Sequence, residues 1–160
     1  MTPAARSGFI AVVGAPNVGK STLVNRLVGT KVTIVSPKVQ TTRARVLGIC
    51  MAGQAQLVFI DTPGIFRPRR RLDRAMVAAA WEGVAAADAT LLLVDAARGL
   101  DADTRRIIER GVGDDAPLVL AINKIDLVKK PDLLTLADAL NQEGDFERSF
   151  MISAKSGSGI

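Results

Sequence analysis

Along this chain, short apolar runs alternate with segments of helical period, the pattern of an α/β domain built on a mostly parallel sheet. FIAVVG (9–14) reads as a buried strand, and a helix follows from Lys20 to Val28, stopped by Gly29. RVLGICMAGQAQLVFID (45–61) reads as two strands around a turn at Ala52–Gly53–Gln54, which predicts an antiparallel hairpin. From Leu72 to Ala87 the smaller or apolar residues fall at 72, 75, 76, 79, 80, 83, 84 and 87, a helical stripe. Trp81 stands on the other side of that helix, so it either packs under a neighbouring loop or marks a docking surface. TLLLVDA (90–96), PLVLAINK (117–124) and RSFMISA (148–154) read as further strands. DADTRRIIERG (101–111) predicts a helix with aspartates at its start and glycine at its end. PDLLTLADAL (131–140) predicts another, opened by proline in its first turn. No internal repeat or low-complexity segment interrupts the series.

Composition adds little to this until charge is mapped. With 160 residues, 48% hydrophobic and 23% charged, the chain suits one globular domain with one core. No apolar run approaches a membrane span, and the start (MTPAARSG) lacks a signal-peptide core, so a cytoplasmic location is expected. The single cysteine, Cys50, lies in the apolar run VLGICM, where it reads as a core residue. The net charge of +5 is concentrated: RPRRRLDR (67–74) carries five arginines and one aspartate, leaving only +1 for the rest. Such a cluster either attracts nucleic acid or an acidic partner, or is a solvated loop that keeps the domain soluble.

Three segments carry chemistry, each at the C-terminal end of a predicted strand, where ligands of an α/β sheet bind. Gly14-Ala15-Pro16-Asn17-Val18-Gly19-Lys20-Ser21 matches G-x-x-x-x-G-K-S between a strand and a helix. Its backbone N–H groups can form a nest around a β-phosphate, backed by the helix N-terminus. Lys20 can reach the β- and γ-phosphates, and the Ser21 hydroxyl can ligate magnesium. In Asn123-Lys124-Ile125-Asp126, the Asp126 carboxylate can accept hydrogen bonds from guanine N1–H and the exocyclic amino group, a donor pair that adenine lacks. The Lys124 stem can lie across the base, and the Asn123 amide can brace the surrounding loops. After the last strand, in Ser153-Ala154-Lys155, a backbone N–H can donate to guanine O6. Alone, the last two segments would usually be turns; in this order and context they support one another.

GAPNVGKS, DTPG, NKID and SAK in this order resemble the translation-factor-related GTPases, and SPKVQTTRARVLGI with DTPGI resembles more closely the Era family of bacterial GTPases. The resemblance runs from Ser7 to Ile160. It implies a Ras-like P-loop GTPase fold with a mostly parallel sheet, one antiparallel hairpin strand and helices on both faces. It implies GTP and GDP as ligands, magnesium as cofactor, and a role in small-ribosomal-subunit assembly in contact with 16S rRNA. The nucleotide-binding set it implies is Gly14, Ala15, Pro16, Asn17, Val18, Gly19, Lys20, Ser21, Thr22, Asp61, Gly64, Asn123, Lys124, Asp126, Ser153, Ala154 and Lys155. Magnesium would fall to Ser21, Thr42 and Asp61, the last through water, with Thr41 as the alternative to Thr42. The first switch would span Thr33–Arg45 and the second would run from Asp61 through the arginine-rich segment, with the Gly64 N–H on the γ-phosphate. Loss of that phosphate would release both loops. The family also carries a KH domain, an RNA-binding module with a G-x-x-G loop, which this sequence lacks. The expectation is therefore a G domain over residues 1–160 without its closing helix, part of its sheet exposed, and with RNA contact mainly a property of the KH domain. A monomer is expected, and the resemblance leaves room for peripheral association with the inner membrane.

DTPGI (61–65) raises the question of turnover. Many such switches follow the glycine with a glutamine that orients the attacking water; Ile65 offers water no hydrogen bond. Two readings stay open: a slow GTPase, stimulated by a partner, RNA or a cation, and a guanine-nucleotide-dependent docking module with negligible turnover. The catalytic candidates are Lys20, Asn17, Thr42 and Gly64. In related potassium-activated GTPases an asparagine at the position of Asn17 helps hold the ion, so potassium is a candidate cofactor; equally, Asn17 can serve only the loop turn. Arg43 is a weaker source of the same charge.

Overall fold

The computed structural model describes residues 6–28, 45–61, 69–110 and 116–160, and at 45–47 and 61 the backbone alone. Its strands are β1 (Arg6–Val13), β2 (Arg45–Ala52), β3 (Ala55–Asp61), β4 (Ala89–Asp95), β5 (Leu118–Asn123) and β6 (Arg148–Met151). The helices are α1 (Lys20–Val28), α2 (Arg71–Ala86), α3 (Ala102–Arg110) and α4 (Lys130–Glu143), with a 3₁₀ turn at Ile125–Leu127. The strands form one sheet in the order β2-β3-β1-β4-β5-β6. Only β2 runs antiparallel, paired with β3 through a turn where Gly53 takes a positive φ of 61°. The α/β expectation, with its single hairpin strand, holds.

Both faces of the central strands are covered, which is why these strands read as continuous apolar runs and not as alternation. Ala11, Val13, Leu92, Val94, Leu120 and Ile122 face α2, α3 and α4. Val12, Leu93 and Ala121, one register position along, face α1 with its Leu23 and Val24. Local signals set the helix ends. Asp101 Oδ1 accepts from the Thr104 N–H at 2.8 Å and so starts α3. Pro131 sits in the first turn of α4, which buries Leu133, Ala137 and Leu140 at spacings of four and three.

The structure alters three expectations. In α2 the buried residues are Ala80, Gly83 and Val84, with Val77 and Trp81 packed against the same core. Leu72 and Met76 are 69% and 38% exposed, so the apolar stripe is real only in the second half of the helix. Trp81 is half-buried against that core and not on the opposite side of the helix, and the Arg110 guanidinium of α3 lies 4.3 Å from its ring centroid. β6 ends at Met151, not at residue 154, because Ser153 leaves the ladder to make a turn. Cys50 is half-buried, its thiol directed to the Leu27 carbonyl at 3.2 Å. Beside α1, an apolar groove of about 250 Å³ is lined by Leu23, Leu27, Leu91, Ala121, Phe150 and Ile152 and by the exposed Ile160. Among the described residues no helix is long and apolar enough to cross a membrane.

Candidate functional site

Residues 14–19 turn from the end of β1 into α1 against the neighbouring strand β4. Glycine is needed twice in this loop. A Cβ on Gly14 would lie 2.7 Å from the Leu93 carbonyl oxygen and 2.8 Å from Val18 Cγ2. Gly19 has φ +103°, and a Cβ there would overlap the Asn123 amide. Asn17 is left-handed as well, at φ 65°, a conformation that asparagine tolerates better than most residues. The Lys20 ammonium folds back over the loop and donates to the Gly14 and Ala15 carbonyls, each at 3.1 Å. Ser21 and Thr22 are exposed in the first turn of α1.

The segment after β5 reaches this loop directly. Asn123 is buried, and its Nδ2 donates to the Val18 carbonyl at 2.9 Å. Its Oδ1 accepts from the Ala154 N–H, also at 2.9 Å, so one amide joins three strand-end loops. That N–H is thus engaged, and Ala154 does not supply the donor expected for guanine O6 while the bond is held. Lys124, left-handed at φ 65°, donates to the Asn17 carbonyl at 2.8 Å and pairs with Asp95 at 2.9 Å. Asp126 is exposed, and its Oδ1 accepts from the Ser153 hydroxyl at 2.9 Å. Arg26 of α1 fixes the far side, donating from Nε to the Ala154 carbonyl at 3.0 Å and from Nη2 to that of Lys155. The phosphate-type loop, the Asn123–Asp126 segment and the Ser153–Lys155 turn therefore meet in one crevice.

Three residues of this network do not stand out from the sequence: Asp95, Arg26, and Arg98, whose Nη1 donates to the Pro16 carbonyl at 2.8 Å. Asp95 had one available signal, a carboxylate at the crevice end of a central strand. Burial pushes the Asp95 carboxyl up, but the Lys124 ammonium and the Ala97 and Arg98 N–H groups outweigh it, so the group titrates below its ordinary value of 3.8. A depressed folded value stabilises the fold above the unfolded value and is lost as pH falls through the folded one. Asp95→Asn should therefore flatten unfolding free energy against pH below about pH 4, measured by denaturant titration. A slope equal to wild type would show that this carboxylate contributes nothing.

Of the other expected residues, Asp61 is described by its backbone, which pairs with Val12 in β1 and so ends beside the loop that begins at Gly14. Thr33, Thr41, Thr42, Arg43, Gly64, Ile65 and Arg67 lie outside the described residues, as do nearly all of the first expected switch and residues 62–68 of the second. A hollow of about 460 Å³ lies between α2 and α3 and is lined by Arg74, Val77, Trp81, Glu82 and Arg110, among others. It shares no residue with the crevice and offers no phosphate nest, so the crevice is the candidate site.

Residues 9–124 match the family of 50S ribosome-binding GTPases, a stretch that contains the whole phosphate-type loop and ends at Lys124. The chain belongs to that family. Within it, the chain is 60% identical over 154 residues to the GTPase Era of Rhizobium meliloti, covering 96% of this chain and 49% of that protein. Its fold is similar to that of Era crystallised with MgGDPNP and a fragment of 16S ribosomal RNA, at TM-score 0.80 and 39% identity over 96% of this chain and 53% of that one. It is likewise similar to an Aquifex aeolicus Era variant bound to GDP.AlF4-, at TM-score 0.78 and 39% identity over 95% of this chain and 52% of the other. The chain thus spans about half the length of these relatives. The family match ends at Lys124, short of Asp126 and Ser153–Lys155.

Proposed function

We propose that this protein binds GTP and hydrolyses it slowly, as a molecular switch in small-ribosomal-subunit assembly. The observation that carries the reading is the Asn123 amide, which ties a phosphate-type loop to the segment bearing Asp126. A ligand fitted there has phosphates at one end and a purine edge at the other. The family description names the 50S particle, whereas an Era relative was crystallised with 16S ribosomal RNA. Identity of 60% to an Era protein favours the small subunit. RNA contact would come mainly from the part of Era-length proteins outside this chain. We further place the protein in the cytoplasm as a monomer, with peripheral contact at the inner membrane surface.

Within the crevice, the loop N–H groups would hold the β-phosphate and Lys20 the β- and γ-phosphates. Ser21, Asp61 and Thr42 would hold magnesium: all are hard oxygen donors, and the exposed Ser21 lies at the end of the sheet where the Asp61 backbone also ends. Magnesium, when bound, neutralises charge on the phosphates. With no water-orienting side chain at residue 65, hydrolysis would depend on an external group. We assign that role to potassium held at the exposed Asn17; the competing role of Asn17 is to tolerate the left-handed turn.

Single-turnover hydrolysis in potassium and sodium chloride at matched ionic strength tests this. Slow turnover in sodium and faster turnover in potassium are expected, with Lys20→Ala reduced about 10²–10³-fold. Equal rates in the two salts would remove potassium. Wild-type turnover no faster than Lys20→Ala would instead make this a docking module.

A further inference from the structure

A loop can present its N–H groups inward to an anion only if its carbonyls turn outward and find donors. Here five successive carbonyls do. Gly14 and Ala15 accept from Lys20, Asn17 from Lys124 and Val18 from Asn123. These donors all belong to the GTPase motifs. The carbonyl between them, that of Pro16, accepts from a residue outside every motif: Arg98, whose Nη1 donates at 2.8 Å.

We propose that the turn after β4 is a strap for the phosphate loop, in which Arg98 and Asp95 are positioning residues that hold its nucleotide-binding curvature. Asp95 organises both ends. Its Oδ2 pairs with Lys124, the donor to the Asn17 carbonyl. Its Oδ1 accepts from the Ala97 N–H at 2.9 Å and the Arg98 N–H at 3.4 Å, forming the tight turn that presents the Arg98 side chain. The Arg98 and Gly99 N–H groups also bond the Asp95 carbonyl, and Gly99 closes the turn at φ +71°. The second guanidinium nitrogen of Arg98 is held by Asp101 at 2.8 Å, which fixes the fork. One carboxylate thus delivers two cations to two adjacent outward carbonyls. Pro16 has no N–H of its own, so its carbonyl is the only backbone handle at that point of the loop.

The strap rests on the guanine-nucleotide reading above and sharpens it: neither residue touches nucleotide, yet both set how well the loop grips a β-phosphate. The test is dissociation of a fluorescent GDP analogue from wild type, Arg98→Ala, Arg98→Met, Arg98→Lys and Asp95→Asn, together with equilibrium affinities for GDP and GMP. The arginine is 39% exposed, so the nucleotide-free Arg98 variants should melt with wild type. Arg98→Ala and Arg98→Met should both release GDP about tenfold faster, Asp95→Asn should do so more weakly, and Arg98→Lys should recover part of the loss. GMP has no β-phosphate, so its affinity should stay unchanged and the GDP-to-GMP ratio should fall by the same factor. Arg105→Ala, which breaks an exposed pair with Glu143, should change neither quantity. GDP release equal to wild type in Arg98→Ala and Arg98→Met, or equal weakening of GDP and GMP, would overturn the strap alone. Failure of wild type to bind GDP would overturn the guanine-nucleotide reading and the strap with it.

Discussion

Replacing Asn123 by alanine should lower the melting temperature by on the order of 10 °C and abolish its rise on adding GDP. The side chain is buried, and both bonds it makes go to backbone groups, one carbonyl and one N–H. Removing it leaves the Val18 carbonyl and the Ala154 N–H without that partner, each costing about 1–3 kcal/mol when water cannot reach it. At roughly 2–4 °C per kcal/mol for a chain of this size, the two losses together give the stated shift. Asn123→Asp separates the two bonds: its carboxylate can still accept from Ala154 but opposes the Val18 carbonyl, so at neutral pH it should be no better than alanine. Calorimetry with and without GDP checks this. A melting point close to wild type for Asn123→Ala would mean the three loops are joined by other contacts.

How far this could be read ahead depends on the range of each interaction. Strands such as FIAVVG and TLLLVDA are legible because burial on both faces leaves an unbroken apolar run. The loop at 14–21 is legible because a backbone nest demands glycine where Gly14 meets Leu93 and where Gly19 meets Asn123. The bracing role of Asn123 follows from its amide having both a donor and an acceptor. Helix α2 reads only in part: periodicity finds the face at Ala80 and Val84, but the same period runs on through Leu72 and Met76, which the fold leaves exposed. Arg98 and Arg26 are illegible for a deeper reason. Each is an exposed arginine in the sequence pattern, and each acquires its role from a carbonyl 82 or 128 residues away. No local period encodes such a pairing; only the folded sheet order, with β1 between β3 and β4, brings the partners together. The same network explains why two left-handed residues, Asn17 and Lys124, coincide here. The Lys124 side chain donates to the Asn17 carbonyl, so the strained backbone at Asn17 is supported by a bond from the other.

Asp126→Asn should exchange the base preference of the site, weakening GTP binding by about 10²–10⁴-fold while strengthening binding of xanthosine triphosphate. Guanine offers two donors on its Watson–Crick edge, N1–H and the exocyclic amino group, and a carboxylate is acceptor-only. One oxygen of Asp126 already accepts from Ser153, but a carboxylate oxygen has more than one lone-pair site. That bond therefore orients the group towards the base edge and leaves acceptor capacity for both donors. In the asparagine variant the carbonyl oxygen can keep the Ser153 hydroxyl, and an NH₂ group then replaces the other oxygen. It confronts the guanine amino group donor to donor, while xanthine presents a carbonyl oxygen at the same place and restores the match. Asp126 is exposed, so the substitution should leave the melting temperature of the nucleotide-free protein near wild type, unlike Asn123→Ala. Equilibrium titration with GTP and xanthosine triphosphate against both proteins decides the matter. Retention of wild-type GTP affinity would remove Asp126 from the base site, and with it the strongest reason for choosing guanine over adenine.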